Sequence, residues 1–273
     1  MRTVLALLLL LSSYSSLTAQ EVNPLKNKKG EFFMYWGWNR SSYSNSDIRF
    51  YGENYDFTLD DVSAQDRQTP FNTYDYFHPL RITIPQFNAR LGYFISDKYS
   101  ISIGADHMKY VVDSNQLVNV NGYISNTGLD YDGVYQDESV VLATNLLRLE
   151  HTDGLNYVNI ELRRVDELKV FNKVSLNLIE GFGVGVMIPK TNATLLNNPR
   201  HDDFHVSGYG LGALLGLQVH LGKYFFIMSE LKGGFINMPN FRTTSSAADK
   251  ASQHFFFAQS NIVFGVRMNF LNK

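Results

Sequence analysis

The stretch His254–Phe270, HFFFAQSNIVFGVRMNF, decides how the chain is read. Taken in alternate steps, Phe270, Met268, Val266, Phe264 and Ile262 fall on one face. Asn269, Arg267, Gly265, Val263, Asn261 and Gln259 fall on the other. A period of two is the signature of a strand, here with one greasy and one polar face. A soluble sandwich strand can alternate in the same way. Ending on the most hydrophobic strand, closed by an aromatic residue, is instead the habit of a transmembrane barrel, with apolar side chains toward lipid and polar ones toward the lumen.

Working outward, the same alternation recurs upstream. Glu31–Arg40 places Phe32, Met34, Trp36 and Trp38 opposite Tyr35, Gly37 and Asn39. Ile84–Ile95 sets Phe87, Ala89, Leu91 and Tyr93 against Gln86, Asn88, Arg90 and Gly92, and Tyr99–Val111 sets Ile101, Ile103 and Ala105 against Ser100, Ser102, Gly104 and Asp106. Leu155–Arg164 and Val170–Ile188 follow, with Val165–Glu167 read as a short connection between them. His205–Leu221 alternates leucines with glycines, and Tyr224–Asn237 precedes the closing strand. The intervening segments alternate long and short. Ser41–Arg81 is long, with a small hairpin expected at Ile48–Tyr51 and Tyr55–Leu59; Val112–Gly154 is long and acidic; Pro189–Phe204 is a medium loop and Met238–Gln253 a polar one.

The prediction is an all-β fold: an eight-stranded antiparallel up-and-down transmembrane β-barrel, one domain over residues 31–270. Short periplasmic turns and longer extracellular loops give that rhythm. A lipocalin also has eight up-and-down strands, but its apolar residues line the interior. Here the inward set holds Gly, Asn, Gln, Arg and Glu, which suits a narrow lumen filled by polar side chains.

Composition agrees. Aromatic residues make up 14% of the chain, enough for interfacial girdles. Residues 1–19 read as a secretory signal peptide: Arg2, the apolar run Val4–Leu11, and Leu17-Thr18-Ala19 for cleavage. That run is far shorter than the ~20 residues of a spanning helix. With no cysteine, neither a lipoprotein anchor nor a disulfide is available. A net charge of −2 points to no nucleic-acid partner.

Over Glu31–Phe270 the chain resembles the small OmpA/OmpW-type outer-membrane β-barrel superfamily of Gram-negative bacteria. The likeness rests on strand count, loop rhythm and the terminal VRMNF, with Leu271-Asn272-Lys273 overhanging it. It implies a cell outer-membrane location in contact with lipopolysaccharide, assembly by the barrel insertion machinery through that terminal signal, a monomer, and extracellular loops that receive an unknown ligand. It implies no activity.

Several residues could carry chemistry. The inward charges Arg90, Glu161, Arg163, Glu230, Lys232 and Arg267 should pair across the lumen, because an unpaired buried charge is costly. Arg267 is expected to meet Glu161 or Glu230. A salt-bridge plug and a narrow gated conduction path need the same residues, so both readings stand. Asp106, His107 and Lys109 sit near an outer rim and could clamp a head group. His205 and Ser207, expected to face outward, resemble the His-x-Ser pair of the outer-membrane lipid A deacylases. The orienting acid is missing and Gly208 replaces the following Asn, so no catalytic residue is assigned. Glu180 breaks the apolar parity of its strand, and a β-bulge at Glu180-Gly181 would turn it inward. The loop acids Asp56, Asp60, Asp61 and Asp66, and Asp130, Asp132, Asp137 and Glu138, match no calcium-loop spacing and are read as solvated; no metal or cofactor is expected.

Overall fold

A computed structural model describes residues 28–269. The signal-peptide segment and the terminal Phe270 lie outside them.

The described chain is almost wholly β. In order it forms β1 (Glu31–Tyr43), β2 (Ser46–Tyr51), β3 (Tyr55–Val62), β4 (Ala64–Gln65), the short helix α1 (Thr73–Phe77), β5 (Phe87–Phe94) and β6 (Tyr99–Val112). There follow β7 (Leu117–Ile124), β8 (Gly133–Val141), β9 (Leu147–Phe171), β10 (Val174–Met187), β11 (Lys190–Leu195) and β12 (His201–Phe204). The last three are β13 (Gly208–Leu221), β14 (Phe225–Arg242) and β15 (Lys250–Asn269). Eight of them close a ring, β1-β5-β6-β9-β10-β13-β14-β15, and β15 pairs back on β1 from Glu31↔Asn269 to Tyr43↔Phe257. Every pairing is antiparallel, as an up-and-down barrel requires.

The register measures the stagger of the ring. Cross-strand partners lead from Phe32 through Tyr93, Ile101, Leu162, Phe182, Ala213, Gly233 and Ala258 to Ser42, ten residues further along β1. Eight strands with that stagger tilt by roughly 40° to the barrel axis and enclose a lumen that side chains can fill.

The outer wall carries the apolar set. Met34, Leu91, Ile101, Ile103, Ile160, Phe182, Val184, Leu215, Leu217, Leu231, Ile262 and Phe264 are all exposed, and their strand neighbours point inward and are buried or half-buried. A belt of this extent on a closed barrel is a lipid-facing surface. No helix among the described residues is long and apolar enough to cross a membrane. The chain crosses with strands.

Several expected boundaries are corrected. β9 runs unbroken to Phe171, so the turn is not at Val165–Glu167 but at Asn172-Lys173, where Asn172 adopts φ 53°. Asn tolerates that left-handed conformation, whereas Val165 keeps the inward parity and continues the strand. Ser41–Arg81 does contain the expected hairpin, as β2 and β3. Val112–Gly154 is not a loop: it holds β7, β8 and the start of β9. Alternation was present there, with Val118 and Val120 buried, but Asn119, Asn121 and Gly122 between and beside them read as turn formers. Pro189–Phe204 likewise holds β11 and β12. Met238–Gln253 is mostly strand, since β14 reaches Arg242 and β15 starts at Lys250.

These extra strands build a head above the membrane. β15 passes the sheet on to β2, β3, β7 and β8, while the outer end of β9 carries β11 and β12. Ile48, Phe50, Phe57, Leu59, Met108, Tyr110, Leu147, Phe241 and Phe255 fill its core, each at most 1% exposed.

Candidate functional site

Strand alternation aims Arg90 from β5, Asp106 from β6, Glu161 and Arg163 from β9, and Glu230 and Lys232 from β14 into the lumen. All six are at most 3% exposed. Glu161 is their hub: its carboxylate lies 2.8 Å from Arg90, 2.6 Å from Arg163 and 2.6 Å from Lys232. Arg163 also reaches Glu230 at 2.9 Å, and Lys232 binds Asp106. Three cations face three anions, so the cluster is neutral. Neutral polar groups complete it. The Tyr35 hydroxyl accepts from Arg90 Nε at 2.9 Å and Arg163 Nη2 at 2.7 Å. Asn88 and Asn159 donate to the two oxygens of Asp106, and Asn261 donates to Glu230. The hydroxyl and these amides were missed as site residues, although each shares the inward parity of the charges.

Arg267 is not part of this cluster, contrary to expectation. It lies at the end of the barrel away from the head and pairs with Glu31 at 2.6 Å. β15 runs downward, so Arg267 stands well below the level of Glu161; the ring closure brings it beside the first residue of β1 instead. Between the two levels the lumen is apolar rather than polar throughout. Phe33, Phe94, Val165, Ile179, Leu214, Phe226, Met228 and Val263 form a second buried cluster with Tyr35. A cavity of about 20 Å³ there, lined by Phe33, Phe94, Ser100, Gln218 and Arg267 among others, has room for about one water. The lumen is thus closed three times: by the head core, by the ion cluster, and by the lower apolar cluster.

The remaining candidates do not converge on one site. Asp106 belongs to the lumen, while His107 and Lys109 point to the other side of β6, because consecutive strand residues alternate. His107 stacks on Phe87 at 5.0 Å and its Nδ1 contacts Asn156 at 2.8 Å. Lys109 donates to Thr69 Oγ1 and to the Ile84 carbonyl, both at 3.0 Å. His205 and Ser207 precede β13 instead of starting it. Ser207 is buried, not lipid-facing, and its hydroxyl donates to the His205 carbonyl at 3.2 Å rather than to an imidazole. The pair is held by loop backbone: His205 N bonds Pro189 and Ser207 N bonds Met187.

Glu180 is not turned inward by a bulge. Its register with β13 is continuous through Glu180↔Leu215, and the irregularity of β10 lies at Leu176/Asn177. The carboxylate stays on the outer face because a cation meets it: Arg164, its cross-strand partner, lies 3.4 Å away and also binds Asp166, which binds Lys98. Arg164 pairs with Tyr99, the first residue of β6, so this chain of charges sits toward the end of the belt away from the head.

In the head, several of the loop acids find protein partners. Asp56 pairs with Arg49 at 2.7 Å, which holds its carboxyl below the usual range. Asp66 accepts from Ser41 N and from Gln86, yet burial still raises its pKa. Asn121 donates to Asp60, and Asn119 to Asp137. Among the described residues no group of three or more His, Asp or Glu side chains is placed to hold a metal ion.

No protein-family model matches the sequence, and no curated protein matches it. Solved structures do match. The outer-membrane protein OprG of Pseudomonas aeruginosa aligns at 13% identity and TM-score 0.42, covering 90% of this chain and 100% of that one. AlkL, an outer-membrane protein, aligns at 8% identity and TM-score 0.40 over 95% of this chain and 98% of that one. Neisserial surface protein A aligns at 10% identity and TM-score 0.33, covering 89% of this chain and 100% of that one. These three are outer-membrane barrel proteins, and the likeness is one of fold alone.

Proposed function

We propose that this protein is a non-conducting outer-membrane barrel that holds a rigid β-built head outside a Gram-negative cell as a binding platform. The observation that carries this reading is the triple closure of the lumen. An ion crossing it would have to separate pairs at 2.6–2.9 Å and then pass two apolar clusters. A gated conduction path is disfavoured on the same ground. The head, by contrast, has its own hydrophobic core, so its surface is presented in a fixed shape. Glu53, Asp61, Asp130 and Glu138 add negative charge near its β2–β3 and β7–β8 hairpins. Such a surface favours a cationic partner.

The lipid-facing belt and the arrangement of short turns at one end support the outer-membrane location, in contact with lipopolysaccharide. Ring closure within one chain supports a monomer. The VRMNF stretch supports insertion by the barrel machinery.

Purified protein in planar bilayers tests the proposal. The expected result is no stepwise conductance, together with binding to polylysine that is lost when Leu117–Val141 is replaced by a short turn while heat-modifiable migration persists. Ohmic channels from the intact protein would overturn the non-conducting reading. Unchanged polylysine binding by the trimmed head would overturn the platform reading.

A further inference from the structure

Between β4 and β5 the chain leaves the head and turns back over the outside of the barrel. Asp66 and Gln86 bond to each other and pin the two ends of this excursion together. Within it, Asn72 caps α1 by accepting from Asp75 N, Tyr76 donates to the Thr69 carbonyl at 2.8 Å, and Arg81 pairs with Asp75 at 2.7 Å. Lys109 ties the loop to β6 through Thr69 and Ile84. The polar groups of the loop are therefore largely satisfied by the loop and its base.

The apolar groups are not. Phe71, Tyr74, Phe77, Leu80 and Ile84 are 39–87% exposed. Tyr76 alone among the large side chains of α1 turns inward, and it packs against Trp38 at 5.5 Å; Phe77 meets the same ring at 5.4 Å. Trp38 is an outward residue of β1. It also packs on Phe264, which belongs to the lipid-facing belt. The loop thus lies on the lipid side of the wall, and its exposed aromatics continue the belt outward from Trp38. Arg40 stands two residues above Trp38 on the same face, at the height where a cation can reach head groups.

We infer that residues 70–84 form an amphipathic anchor seated in the extracellular leaflet, with Phe71, Tyr74, Phe77 and Leu80 at the boundary between head groups and acyl chains. The occupant of the exposed surface is the acyl layer, because that surface is continuous with the belt which the same layer covers. Water would leave five large apolar side chains exposed, whereas an interfacial segment of this character buries them by several ångströms.

The absence of cysteine from the chain makes the test direct. Single-cysteine variants Leu80→Cys, Phe264→Cys and Val134→Cys carry a fluorophore and are placed one copy per phosphatidylcholine nanodisc, with lipid spin-labelled near the head of its acyl chain. Val134, on β8 of the head, is 71% exposed and serves as the aqueous control. The expected result is quenching at Leu80 within about twofold of that at Phe264, and protection of both from iodide. Iodide access at Leu80 equal to that at Val134 would overturn the anchor. So would protection at Leu80 that arises only when two copies share a disc, which would assign the surface to a second copy. Failure of lipid quenching at Phe264 as well would instead strike the membrane-spanning reading itself.

Discussion

Glu161→Gln removes the hub of the lumen cluster. Its carboxylate meets Arg90, Arg163 and Lys232 within 2.6–2.8 Å, and the four side chains are at most 3% exposed. At an effective dielectric near 20, a contact of about 3 Å is a gross attraction of roughly 5 kcal/mol, offset by several kcal/mol of desolvation per ion. The intact cluster therefore adds little net stability, but losing one anion leaves three cations facing only Asp106 and Glu230. The expected cost is about 3–5 kcal/mol. Lys232→Gln alone strands an anion instead and should cost a similar amount. The double variant restores neutrality, with Arg90 and Arg163 facing Asp106 and Glu230. Its cost should fall short of the summed single costs by at least about 2 kcal/mol. Urea unfolding from phospholipid vesicles measures this, reported by Trp36 and Trp38, the two tryptophans of the chain. Single variants within about 1 kcal/mol of wild type, or an additive cycle, would refute the reasoning.

Further outcomes follow from the barrel wall and from its end away from the head. A Cβ at Gly37 would lie 2.1 Å from the Ile262 carbonyl oxygen and 2.4 Å from Val263 Cα, so Gly37→Ala should prevent β1 from seating on β15 and abolish the folded gel band. Gly233→Ala, whose Cβ would meet nothing nearer than the Phe257 carbonyl oxygen at 3.6 Å, should fold. Lys28, ahead of β1, is lowered to about 8 by burial and by nearby Arg267. A base lowered in the folded state binds fewer protons there than in the unfolded chain, so stability should rise with pH from about 8 to 10.5. The unfolding midpoint of Lys28→Met should lack that part of the rise.

The barrel was legible because lipid imposes one rule on every strand, apolar outward, and a period of two exposes it from Phe32 to Met268. The inward charges were legible for the same reason. Their partners were not: which charges meet depends on the ten-residue stagger, and that quantity is set by ring closure rather than by any one strand. Arg267 shows the difference, since parity placed it inside correctly but only the register put it beside Glu31. The head was hidden for another reason. Its strands need only half an apolar pattern, and Asn119, Asn121, Gly122 and Asp137 supplied turn-like residues on the wet side. Ser207 was misplaced because strand periodicity was extended past Gly208, into a segment whose conformation is fixed by bonds to Met187 and Pro189.

The β1–β15 seam also bears on the order of folding. Every other contact in the ring joins strands that are neighbours along the ring's own sequence, and such pairs can form as soon as both strands exist. β1 has one earlier partner, β5, and must wait for the farthest strand of the described chain to cover its second edge. Contacts of such long range are the slowest to form. During that interval a row of unpaired backbone amides on β1 faces whatever lies beside it, and lipid offers them no partner. Insertion and closure are therefore bound to be one event, or to proceed under the cover of another protein's strand edge.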